Sequence, residues 1–157
     1  AATAPTPPVT KGPFESAEAL ADAVLKQGVL RRSAPDLTDP LDLVVVDDDV
    51  GGPYPPGPSD YVHRRLGPSL IGRYSGGSRV LLAFAEPRAW KGRSGFGPGT
   101  RDALAHHAAG ADLIVLFGHP RLLDELPGKA PVLLAWHRQR LMQEAVARWL
   151  ARRLGGK

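Results

Sequence analysis

Residues 112–137 read DLIVLFGHPRLLDELPGKAPVLLAWH: two apolar runs, each closed by a histidine, His119 and His137, and parted by a short polar link. Neither run alternates polar with apolar residues, so strands built from them need cover on both faces, as in a parallel sheet. The pattern recurs upstream. LDLVVVDDDV (41–50) ends in three aspartates, and the turn-rich GGPYPPGPSD separates it from the helical stretch YVHRRLGPSLIGRY. SRVLLAFAEPRAW (78–90) leads through the glycine-rich KGRSGFGPG into a second helical stretch, TRDALAHHAAGA. Four strands alternating with helices predict an α/β fold: a three-layer α/β/α sandwich around a mostly parallel sheet of four to six strands, flavodoxin- or Rossmann-like, with right-handed crossovers.

The flanks fit this scheme. SAEALADAVLKQGVL offers Ser16 as N-cap, Leu20, Val24 and Leu25 on one face, and Gly28 as a stop. In RQRLMQEAVARWLARRLGGK, residues Leu141, Met142, Ala145, Val146, Trp149, Leu150 and Leu154 form one apolar stripe expected to dock on the sheet, with Arg148, Arg152 and Arg153 off it. Residues 1–13 are proline-rich and are expected to form a linker, which leaves 14–157 as a single domain.

Composition narrows the function classes. A chain of 157 residues, 43% hydrophobic and 23% charged, has ordinary globular usage and the length for one core. The absence of cysteine removes disulfides, thiolate metal sites and thiol nucleophiles. No apolar run reaches the roughly 18 residues of a spanning helix, so membrane insertion is not expected. The net charge of +4 comes from arginines scattered along the chain rather than from a recognised binding module, so no nucleic-acid partner is expected.

In an open parallel sheet, ligands bind beyond the carboxyl ends of the strands. Those ends carry Asp47, Asp48 and Asp49; Glu86, Arg88, Trp90, Lys91 and Arg93; His119; and Trp136 and His137. Three adjacent carboxylates repel one another and call for nearby cations, which Arg88, Lys91 and Arg93 can supply. The aspartates then read either as a metal or sugar-hydroxyl site or as caps and salt-bridge partners, and the structural reading is favoured. A receiver domain would need a phosphoacceptor aspartate that LIVLFGHP lacks. A haloacid-dehalogenase phosphatase would use Asp47-x-Asp49, with a threonine or valine where Gly51 stands. The glycine-rich loop lacks the Walker lysine pattern and the dinucleotide spacing, and Ser94 lies outside any nucleophile elbow. His106 and His107 are adjacent, point about 100° apart on a helix, and are expected at the surface. His119 and His137 could share a metal or a proton relay, but no third ligand is evident. Trp90 could stack on a sugar or fill an interface, and the second is preferred. No catalytic residue, metal or cofactor is assigned.

ADLIVLFGHPRLLDELPGKAPVLLAWHRQRLMQEAVARWL, with VVVDDD and EPRAWKGRSGFGPGT before it, resembles the C-terminal α/β sandwich domain of family-3 glycoside hydrolases, in the β-N-acetylhexosaminidase branch. The resemblance spans residues 15–154 and contains no catalytic motif. In that family a preceding (β/α)8 barrel carries the aspartate nucleophile, and in this branch a barrel loop carries a histidine-aspartate acid/base pair; neither they nor the K-H-F-P-G-H-G-like sugar-binding segment occurs here. A barrel needs about 250 residues, more than this chain holds. The resemblance therefore implies an accessory, non-catalytic domain whose partner is an N-terminal barrel and, at its mouth, a saccharide. In the β-glucosidase branch the second domain lends a glutamate as general acid; Glu86 stands nearest to that role, although pairing with a rim arginine is the favoured reading. The compartment stays open, with a lean to periplasmic or secreted. Two other classes stand beside this one: a free-standing metal-dependent hydrolase using the aspartates, and a carbohydrate-binding module using Trp90.

Overall fold

The computed structural model describes residues 16–73 and 76–154, so the linker assigned to 1–13 lies outside the described residues. Helix α1 (Ala17–Lys26) begins where the Ser16 hydroxyl accepts from the Ala19 N–H at 3.1 Å, satisfying one orphan donor of its first turn. It ends before Gly28, where a Cβ would lie 2.9 Å from the Leu134 carbonyl oxygen, so only glycine lets the chain pass. Then follow β1 (Val29–Leu30), β2 (Asp42–Asp47), α2 (Tyr61–Leu66), β3 (Arg79–Ala85), α3 (Pro98–Ala108), β4 (Leu113–Gly118), β5 (Val132–Leu134) and α4 (Arg140–Arg153). The five strands form one sheet in the order β1-β5-β4-β3-β2, with β1 antiparallel to β5 and the other pairs parallel. The fold is α/β with a mixed, mostly parallel sheet.

Alternate residues of the central strands feed two buried clusters, as the period of two requires. Val80, Leu82, Phe84, Leu113, Val115 and Phe117 pack with residues of α1, α2 and α4. Leu81, Ala83, Ile114, Leu116, Val132 and Leu134 pack with Leu104 and Ala108 of α3 and with Leu122 and Leu126. Each fully buried large side chain contributes about 1.5–3 kcal/mol. Phe84 and Phe117 stack in parallel with ring centroids 4.4 Å apart, which ties β3 to β4. The α4 stripe docks as expected through Met142, Ala145, Val146, Trp149 and Leu150, and Arg148 beside it pairs with Asp22 of α1 at 3.0 Å.

Four features depart from the expected scheme. The antiparallel β1 was not anticipated, because two residues leave no periodic signal. The parallel strands run in sequence order across the sheet, unlike the flavodoxin or Rossmann orders, which reverse. Helices α2 and α3 lie against opposite faces although both connections step to the next strand in the same direction, so the two crossovers have opposite hands and are not both right-handed; the turn-rich 48–60 gives the chain the slack to bring α2 round. β2 is an edge strand whose Leu43, Val44 and Val45 are only half-buried, so its apolar run does not reflect full cover on both faces. In addition, the helix read over 61–74 stops at Leu66, where Gly67 adopts φ 80° and Pro68 opens a short 3-10 turn.

Candidate functional site

Where neighbouring connections leave a parallel sheet for opposite faces, a crevice opens beyond the strand ends. Here this happens between β2 and β3, and the crevice is filled by side chains of the chain itself. Asp48 and Asp49 are 5% and 2% exposed. The Asp48 carboxylate accepts from Lys91 Nζ at 2.9 Å, from Arg93 at 3.0 Å, from the Gly97 N–H at 3.0 Å and from Thr100 Oγ1 at 2.6 Å. Asp49 accepts from Lys91 at 2.7 Å, from Arg138 at 2.7 Å and from the Glu86 N–H at 2.9 Å. Asp47 takes Arg138 in a two-pronged pair at 2.9 and 2.8 Å and accepts from the Asp49 N–H. Three carboxylates thus face three cations.

The cations are engaged in turn, although the Arg138 Nε is buried without a hydrogen-bond partner. The Lys91 ammonium, whose side chain is 3% exposed, spends its three donors on Asp48, Asp49 and the Glu86 carbonyl. Arg138 also donates to the Gly57 carbonyl at 2.6 Å and lies 4.9 Å from the centre of the Phe84 ring. Gln143 on α4 braces this corner: its amide donates to the Pro58 and Arg138 carbonyls, and its Oε1 accepts from the Tyr61 N–H. Burial pushes the Asp48 carboxyl up, but the bonds from Thr100, Lys91 and Gly97 outweigh it and hold the group below the usual carboxylate range. Burial likewise works against the Arg138 charge, and the Asp47 and Asp49 carboxylates overcome it and raise its pKa.

The expected rim residues therefore divide. Lys91 and Arg93 serve the aspartates, whereas Arg88 pairs with Glu86 at 2.9 Å, the rim-arginine pairing favoured for that glutamate. The other Glu86 oxygen accepts from the Arg138 N–H at 3.2 Å. Trp90 is half-buried and packs on Gly52, where a Cβ would come 2.4 Å from the indole, so it covers the loop after the aspartates. His106 is exposed and His107 half-exposed on α3, their rings edge to face 4.9 Å apart. His119 is exposed and caps the 3-10 turn Pro120–Glu125, its Nδ1 accepting from the Arg121 N–H at 3.0 Å. Its ring meets Trp136 edge to face at 6.4 Å. Among the described residues no three His, Asp or Glu side chains are gathered so as to hold a metal ion, and no helix is long and apolar enough to cross a membrane.

The segments that follow β4 and β5 also go to opposite faces, and an open groove lies between α1, α4 and the end of β5. Trp136 is 47% exposed there, with φ 68°. The His137 N–H donates to the Ala135 carbonyl at 2.8 Å, which closes a γ-turn centred on Trp136, a strained conformation for a bulky residue. The His137 Nδ1 is buried and has no hydrogen-bond partner. The sequence assigned no role to Arg138, Thr100 or Gln143, and placed Trp136 only at the strand-end rim. Arg138 carried a usable signal, since it directly follows a strand end and three clustered acids need more cation than one side of the crevice supplies. Comparison of the chain with protein-family models, with curated proteins and with solved structures finds no match.

Proposed function

We propose that this chain is an accessory, non-catalytic domain of a glycoside hydrolase similar to the β-N-acetylhexosaminidase branch of family 3, folded as a three-layer α/β/α sandwich and docked by its strand-end rim against a (β/α)8 barrel. One observation carries this reading: the strand-end carboxylates that a free-standing hydrolase would use are consumed by internal cations. A divalent ion at Asp47–Asp49 would have to displace Lys91 and Arg138, each of which would then be buried without its counter-charge. Glu86, with both oxygens accepting from neighbours, is held as a structural acceptor. The test is turnover by the purified chain of an aryl N-acetylglucosaminide, and of an aryl phosphate with magnesium. No turnover is expected for either substrate; turnover that Asp47→Asn abolishes would overturn the proposal.

A further inference from the structure

The two edges of the sheet are finished differently. One is β1, two residues long; the other is β2, six residues paired with β3 in unbroken register, with no proline, lysine or bulge along it. The carboxylates at its ends are drawn off, Asp42 to Arg79 and Asp47 to Arg138. An edge so bare is a ready template for another strand. The ladder shows which of its backbone groups are free. Asp42 donates to the Ser78 carbonyl and Asp48 to the Phe84 carbonyl, so the period of two turns the even residues toward β3 and the N–H and C=O of Leu43 and Val45 outward. The residue before β2 already meets a partner on that side: the Leu41 N–H donates to the Leu70 carbonyl, and the Leu41 carbonyl accepts from the Gly72 N–H. The pairing ends there, and among the described residues nothing bonds the outward groups of Leu43 and Val45.

We infer that β2 takes an added strand: an extended segment of another polypeptide, carrying acidic side chains, bonds the outward backbone groups of Leu43 and Val45. These residues lie in a groove of about 400 Å³, walled by His63 of α2, which packs on one face of the sheet, and by His107 of α3, which packs on the other. Unpaired N–H and C=O groups at every second residue of a pleated edge are matched by an extended peptide backbone. A second copy of the chain fits poorly, because its own α2 and α3 would meet these walls before the two edges came within bonding distance. Charge selects among extended segments: the groove is lined by Arg73 and Arg79 against one carboxylate, Asp42, which Arg79 already engages. The half-buried Leu43, Val44 and Val45 gain cover from the added strand. Strand addition here does not depend on docking to a barrel, which is proposed at the strand ends.

The experiment titrates the full chain with a short blocked peptide of alternating valine and glutamate, following amide NMR shifts and hydrogen exchange. Saturable shifts along β2 are expected, with exchange at the Leu43 and Val45 amides slowed about tenfold. The same peptide N-methylated at every residue, which has no backbone donor, should not bind, and a peptide of alternating valine and lysine should bind about tenfold more weakly. Val45→Pro removes an outward N–H that the ladder to β3 does not use, so it should leave the sheet folded and weaken binding about tenfold. The methylated peptide acts on the unsubstituted chain and keeps the experiment decisive if Val45→Pro folds poorly. Absence of saturation, shifts centred away from β2, equal binding by the methylated or the lysine peptide, or protection of the Leu43 and Val45 amides through self-association without peptide would each overturn the inference.

Discussion

The two regions beyond the strand ends lie on one sheet and share Arg138, yet they are built to opposite ends. Beyond β2 and β3, Arg138 is a filler: with Lys91 and Arg93 it neutralises three carboxylates. Beyond β5 the same residue, through its backbone, helps hold the turn that exposes Trp136 beside a groove between α1 and α4. A crevice position in a parallel sheet is therefore an opportunity that side chains can close. Polar residues at strand ends do not by themselves mark a site.

The largest test of this contrast is Arg138→Ala. It leaves Asp47 and Asp49 buried without their main counter-charge, and removing one partner of such a group costs about 3–5 kcal/mol. Urea unfolding should show that loss. A cost under about 1 kcal/mol would mean that the crevice is wetter than its burial implies. Asp48→Asn should cost less, about 2–3 kcal/mol near neutral pH, because the Gly97 and Thr100 donors keep an acceptor while Lys91 and Arg93 lose a charge. Its pH dependence has a definite sign. The folded carboxyl titrates below the ordinary 3.8, so its contribution is complete above that value and is lost as pH falls through the folded pKa. The gap between native and Asp48→Asn stabilities should therefore hold constant down to 3.8 and narrow only in stronger acid; a gap already narrowing well above 3.8 would disprove the assignment.

Gln143→Ala comes next, at about 1–2 kcal/mol by the same measurement, since it strands the Tyr61 N–H and the Pro58 and Arg138 carbonyls. This residue shows why the site was only partly legible in the sequence. Runs such as LIVLF announce buried strands because every residue reports the same environment, and three successive aspartates announce a need for cations by their own repulsion. Gln143 sits within the apolar stripe of α4, and nothing local reveals that it faces carbonyls delivered from residues near 58. Arg138 was hidden in the same way by sequence distance from its acids, and Lys91 and Arg93 were visible because their loop follows β3 directly. Strand order was also beyond reach, since apolar runs fix which segments are strands and not which neighbour each takes. Trp136 was legible as a strand-end residue, but its exposure was not, because the positive φ that turns it outward leaves no local signal.

The smallest expected effect bears on the turn after β5. Trp136→Gly and Trp136→Ala both delete the indole and its contact with His119, so the pair differs only in backbone preference. Alanine keeps a Cβ at φ 68° and glycine does not, which makes the glycine variant the more stable by about 1 kcal/mol even though glycine frees the unfolded chain more. Matched thermal or urea unfolding of the two variants measures this difference. Equal stabilities would show that the turn carries no strain, and the exposed tryptophan would then lose the physical reason for being read as a displayed group.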